Sequence, residues 1–83
     1  MPDKSFRFSR HARNRMRRDD VVAESVYECV RGPESVTESV FRRRNYWRPY
    51  GGGYLRVTIA EEDEVLVVVS VVVRRKGPRS PEQ

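Results

Sequence analysis

Val65-Leu66-Val67-Val68-Val69-Ser70-Val71-Val72-Val73 is the stretch from which the fold can be worked out. Seven of its nine residues are valine, and it is too short to cross a bilayer as a helix. Its β-branched side chains favour the extended backbone, where they pack without losing further rotamer freedom. Because the run is apolar at both parities of a period of two, it is expected inside a sheet, buried on both faces. A strand of that kind needs a covering layer, and two helical segments near the N-terminus are the available cover.

Working outward, Glu61-Glu62-Asp63-Glu64 reads as an acidic turn. Tyr54 to Ala60 reads as a strand with Leu55, Val57 and Ile59 on one face and Tyr54, Arg56 and Thr58 on the other. Pro49-Tyr50-Gly51-Gly52-Gly53 is a turn, and Ser35 to Arg48 is expected as one long strand with a bulge near Arg42-Arg43-Arg44. Upstream, Gly32-Pro33 should stop a helix in which Val22, Ala23, Val26, Tyr27 and Val30 recur at helical spacing, with Asp19-Asp20 as its cap. Ser9 is a suitable N-cap for a helix over residues 10–17, with Ala12 and Met16 as the buried stripe. Ser5-Phe6-Arg7-Phe8 alternates as a short first strand. The expected fold is α+β, a two-helix hairpin packed on an antiparallel β-sheet in the order β-α-α-β-β-β. Residues 5–76 form one domain and residues 77–83 a flexible tail. No leader-like segment stands out, so a cytoplasmic protein with no membrane partner is expected.

The net charge of +5 is unevenly spread. Residues 1–18 carry seven cations and one acid, residues 19–40 six acids and one cation, and residues 41–56 five arginines and no acid. Two basic segments separated by an acidic one imply opposite-signed surfaces on a small domain. A single His and a single Cys offer neither a metal-ligand set nor an internal disulfide, and no cofactor motif is present. Cys29, in a helix, reads as a small buried residue.

Chemistry is expected in two places. In the first, His11 and Arg15 stand one turn apart, which reads either as a packing pair or as an imidazole beside a fixed cation. The second is the hairpin. If Arg48 faces Tyr54, then Tyr46 lies opposite Arg56 and Arg44 opposite Thr58, and one face displays Arg42, Arg44, Tyr46, Arg48, Tyr54 and Arg56. The opposite face would hold Trp47, Leu55, Val57 and Ile59. Guanidinium groups interleaved with phenols neutralise phosphates and stack bases. The same arginines also suit a solvated edge that blocks strand aggregation. Metal-free RNA cleavage needs a base for the 2′-hydroxyl and cations for the phosphorane. His11, Arg15, Tyr46, Arg48 and Arg56 are the candidates for those tasks, with Arg42, Arg44 and Tyr54 as nucleic-acid contacts.

His11-Ala12-Arg13-Asn14-Arg15-Met16, followed by a second helix, the Gly32-Pro33 break and three strands, resembles a bacterial family of small uncharacterised proteins with a His-Ala-x-x-Arg-Met signature. That family looks like a branch of the RelE/ParE toxin superfamily, and the resemblance covers about residues 5–73. It implies a helical hairpin on an antiparallel sheet, a toxin of a toxin–antitoxin pair, and a protein antitoxin as partner. RelE-like members cut messenger RNA on the ribosome without a metal, and ParE-like members act on gyrase. Many such toxins place a catalytic Tyr, Arg or His near the C-terminus, where this chain departs with Arg74-Arg75-Lys76 and a Pro-rich end. Three functions therefore compete: a metal-independent endoribonuclease, a non-catalytic toxin-fold module binding RNA, the ribosome or a protein, and a small structural or interaction domain.

Overall fold

The computed structural model describes residues 5–78, and in it the valine run lies inside a five-stranded sheet. The strands are β1 (Ser5–Phe8), β2 (Ser35–Glu38), β3 (Arg44–Tyr50), β4 (Gly53–Glu62) and β5 (Val65–Arg74), in the order β1-β5-β4-β3-β2. The helices α1 (Arg10–Asp19) and α2 (Ala23–Arg31) cover one face. Strands β2 to β5 form the expected antiparallel meander, but β1 joins the outer side of β5 in parallel, Ser5 beside Val65 and Phe8 beside Val68. The sheet is thus mixed, with one strand more than the β-α-α-β-β-β reading.

The additional strand comes from Ser35–Arg48, which is not one bulged strand. Phe41 and Arg42 both take left-handed backbone angles (φ 57° and 63°), and a 3-10 turn over Val40–Arg42 reverses the chain between β2 and β3. Amides of Ser39 and Arg43 close that turn onto the carbonyls of Arg43 and Val40. No Gly, Pro or Asn marks the reversal, so period-two alternation continues across it in sequence.

The next hairpin has a shorter loop than expected. Gly51 and Gly52 occupy the two left-handed positions (φ 53° and 84°) of a two-residue turn, and Tyr50 pairs with Gly53. Twist-compatible hairpin turns need φ > 0 at these positions, and glycine supplies it without steric cost. Pairing therefore runs Arg48 with Leu55, Trp47 with Arg56 and Tyr46 with Val57, one residue from the expected register. A shift of one turns every side chain of one strand to the other face. Trp47 consequently lies away from the helices, not with Leu55, Val57 and Ile59. There its indole N–H donates to Thr37 Oγ1 (2.9 Å), while Thr58 Oγ1 bonds Asn45 Oδ1 (2.7 Å).

A bulge explains why β5 is apolar at both parities. Ser70 pairs with Thr58 and Val68 with Ile59, leaving Val69 as the inserted residue. The alternation changes phase there, so Val68 and Val71, at opposite parities, both enter the helix-facing core. Burial on both faces is reached only mid-strand: Val67, Val68 and Val71 are buried, whereas Val73 is 40% exposed.

Ala12, Val21, Val26 and Cys29 of the helical layer meet Leu55, Val57, Ile59, Val68 and Val71, with Phe6, Phe8, Met16 and Tyr46 around them. Fully burying an aliphatic side chain of this size stabilises by about 1.5–3 kcal/mol, so this cluster dominates the fold. The Phe6 ring meets Tyr27 edge-on at 4.9 Å and ties β1 to α2. Ser9 caps α1 by accepting the Ala12 amide (3.0 Å), and its hydroxyl donates to the Val69 carbonyl, so the cap also fixes α1 to β5. Asp19-Asp20 does not cap α2. Asp19 closes α1, Asp20 turns left-handed (φ 59°) behind it, and the N-cap of α2 is Val22, 60% exposed and without a side-chain bond. Gly32 ends α2 as expected, though at φ −133° rather than in the left-handed region.

Candidate nucleic-acid interface

The register separates the residues expected to share one face. Arg44, Tyr46 and Arg48 alternate on the helix-facing side of β3, because their partners include Ile59, Val57 and Leu55. Tyr54 and Arg56 lie on the opposite face of β4, across from Pro49 and Trp47. Arg42 sits in the 3-10 turn beyond the end of β3, exposed. The combined Arg/Tyr face is not formed, since the one-residue shift displaced β3 relative to β4.

Each fragment has its own environment. Tyr46 packs against the core, and its carbonyl accepts the Cys29 thiol (3.3 Å). Arg48 reaches over the end of α2 and donates to the Gly32 carbonyl, at the negative end of the helix dipole. It lies close enough to Cys29 to favour thiolate, but burial outweighs this and pushes that thiol up to about 11. On the other face the Nε of Arg56 is buried without a hydrogen-bond partner. Its guanidinium is held below the ordinary arginine value by burial first, then by Arg74 and Arg15. Tyr54 stacks under Gly77, where an added Cβ would stand 3.0 Å from the ring. These are structural roles for Tyr46 and Arg48, and a crowded cationic environment for Arg56.

His11 and Arg15 part as well. His11 is exposed, whereas Arg15 is half-buried, its Nε 3.9 Å from Asp19 Oδ2 one turn on. The partner of Arg15 is an acid on its own helix.

A different cluster forms around α1. Arg7, Phe8, Arg10, Arg13, Asn14 and Arg17 line one open cleft of about 400 Å³, with no acid among them. Positions 10, 13, 14 and 17 fall on one stripe of the helix, and Arg7 joins from β1 because Ser9 turns the chain directly from strand into helix. Ala12 and Met16 hold the opposite stripe against β5 and turn the arginines to solvent. Among the described residues, Arg7 pairs loosely with Glu62 (3.5 Å) and Arg18 with Asp19 (3.4 Å), while no ion pair is seen for Arg10, Arg13 or Arg17. Like charges three and four apart each cost a helix a few tenths, about 0.2–0.5 kcal/mol. Arg10 adds to this by standing at the positive dipole end, where the first turn has no acid. An anion bound in the cleft would relieve all of these repulsions. The signal was present in the sequence as Arg10-x-x-Arg13-x-x-x-Arg17, the same helical spacing that placed Ala12 and Met16.

Among the described residues no three His, Cys, Asp or Glu side chains converge as metal ligands, and no helix is long and apolar enough to cross a membrane. Compared with known proteins, the chain matches no family model, no curated protein and no solved structure.

Proposed function

We propose that this chain is a toxin-like module that binds RNA, holding its phosphates in the cleft between β1 and the arginine stripe of α1. The single observation that carries the reading is the convergence of Arg7, Arg10, Arg13 and Arg17 on one open cleft without an acid in its lining. Guanidinium forks match phosphate geometry and need no particular base sequence. RNA, rather than another polyanion, is supported by the His11-Ala12-x-x-Arg15-Met16 signature and its resemblance to RelE-like toxins. On that likeness a protein antitoxin would be its partner.

A catalytic version has one observation in its favour: the chain's sole imidazole, His11, is exposed on the same helix as the stripe. An RNA strand held by Arg10 and Arg13 would pass the helical turn that carries His11, the residue that would serve as general base for a 2′-hydroxyl. Tyr46, packed against the core, and Arg48, bonded to the Gly32 carbonyl, lie outside the lining of this cleft.

The test uses the purified chain, a labelled single-stranded RNA and a chelator throughout. Binding is measured for the native chain and for the combined Arg10→Gln, Arg13→Gln, Arg17→Gln variant, and RNA integrity is read on a gel. Loss of binding in the variant supports the module. Cleavage by the native chain that disappears in His11→Ala assigns the endoribonuclease. No binding by the native chain at low salt overturns the proposal.

A further inference from the structure

The β2–β3 turn exposes an aromatic ring for which the fold has no use. Phe41 is 83% exposed and Val40 64%, although the chain has few large apolar residues to spare for the core. Phe41 and Arg42 are consecutive left-handed residues, a conformation in which a β-carbon crowds the backbone and which is unusual for a side chain this bulky. Backbone held in such a region is commonly retained for what it displays. Here it displays the Phe41 ring, with the Arg43 guanidinium 5.9 Å from its centroid and Arg42 and Arg44 exposed beside it.

We infer that Phe41 is a stacking platform for an unpaired base of single-stranded RNA, with Arg42, Arg43 and Arg44 neutralising the flanking phosphates. The inference rests on the RNA-binding reading and adds a second contact to it. Charge selects the occupant. Residues 39–48 contain four arginines and no acid, and the nearest one, Glu38, pairs across the ladder with Arg44. With Arg43 over the ring, Arg42 and Arg44 exposed beside it and no acid in this segment, the turn presents a purely cationic surface, which suits a polyanion. Unstacked bases are held by this combination of an aromatic face and arginine.

The turn lies off the β2 edge, while the α1 cleft lies at the β1 edge. Four strand spacings separate β1 from β2, about 19 Å across the sheet, so a strand touching both must exceed a very short oligomer.

The experiment compares uridine oligomers of about 2 and about 15 nucleotides, the longer one within the site sizes of single-strand binders. Proteins are the native chain, Phe41→Ala, Phe41→Leu, Phe41→Trp and Arg13→Gln. Because Phe41 is exposed, its variants should keep the native melting temperature. Expected are a roughly tenfold loss of affinity for the long oligomer in both Phe41→Ala and Phe41→Leu, an unchanged salt slope, and no change for the short oligomer. Phe41→Trp should bind as well as the native chain, with its indole fluorescence quenched by RNA above the constant signal of the buried Trp47. Native affinity in Phe41→Ala, or in Phe41→Leu, overturns the platform. If Arg13→Gln weakens binding while the Phe41 variants do not, this inference fails alone. If the native chain binds neither oligomer, it falls together with the RNA-binding reading.

Discussion

Replacing Arg13 by Gln removes one charge from the centre of the α1 stripe while keeping a long helix-favouring side chain. Of the arginines lining the cleft, Arg10, Arg13 and Arg17 have no ion pair among the described residues. With those three neutralising phosphates on a single strand, log affinity should fall with log salt at a slope of about −2, since each contact contributes about −0.7. Between about 50 and about 200 mM salt the native chain should lose affinity roughly twentyfold, and Arg13→Gln, with a slope near −1.4, only about sevenfold. A background carrying Arg42→Gln, Arg43→Gln and Arg44→Gln isolates this cleft from the β2–β3 turn, with a uridine oligomer of about 15 nucleotides as the ligand, and the native and variant stripes are compared within it. Fluorescence anisotropy across a salt series supplies the slopes. Arg18→Gln is the control, because Asp19 at 3.4 Å already offsets that charge, and its slope should stay near the native one. A native slope shallower than about −0.7, or an Arg13→Gln slope equal to the native one, would refute phosphate binding by this stripe.

Three further outcomes follow from the core and the turns. Leu55→Ala, at a side chain only 1% exposed on the central strand, should cost about 2–5 kcal/mol, a large share of the roughly 4–12 kcal/mol expected for a domain of this size, and a thermal melt would show it. Cys29 should resist thiol reagents at pH 8 until the protein unfolds. Since folding raises its pKa from 9.0 to about 11, the folded state binds the proton more tightly, so the contribution is intact below pH 9 and is lost between pH 9 and about 11. Urea midpoints of native and Cys29→Ala proteins across that range should differ in slope, and parallel curves would disprove the assignment. Gly53→Ala should destabilise by about 1–3 kcal/mol, because the new methyl meets the Arg74 carbonyl oxygen and forces β4 from β5. A variant as resistant to urea as the native chain would show that the ladder yields without cost.

Most elements were legible because their signals are local. Ser9 as cap, Ala12 and Met16 as buried stripe, Gly32 as stop and the alternation of Leu55, Val57 and Ile59 each depend on a few neighbouring residues, and each stands where the pattern puts it. The β2–β3 reversal escaped because it is made by Phe41 and Arg42 in conformations their side chains do not advertise. The Arg/Tyr face failed for a different reason. Apart from Arg42, its residues were correctly assigned to strands, but whether Tyr46 meets Arg56 or Val57 depends on whether the loop has two residues or five, and Pro49 and Tyr50 turned out to be strand residues.

By itself, then, the sequence determined both helices, every strand except the division of Ser35–Arg48 into two, and that the valine run lies within a sheet, since hydrophobic period and capping chemistry act over one or two turns of chain. The tertiary structure decided which side chains share a surface. A two-glycine loop set the register between β3 and β4, and a bulge at Val69 reset the phase of β5. The direct Phe8-Ser9-Arg10 passage from strand to helix brought Arg7 alongside Arg10, Arg13 and Arg17. Such choices rest on pairings between residues distant in the chain, where a displacement of one residue exchanges core for solvent.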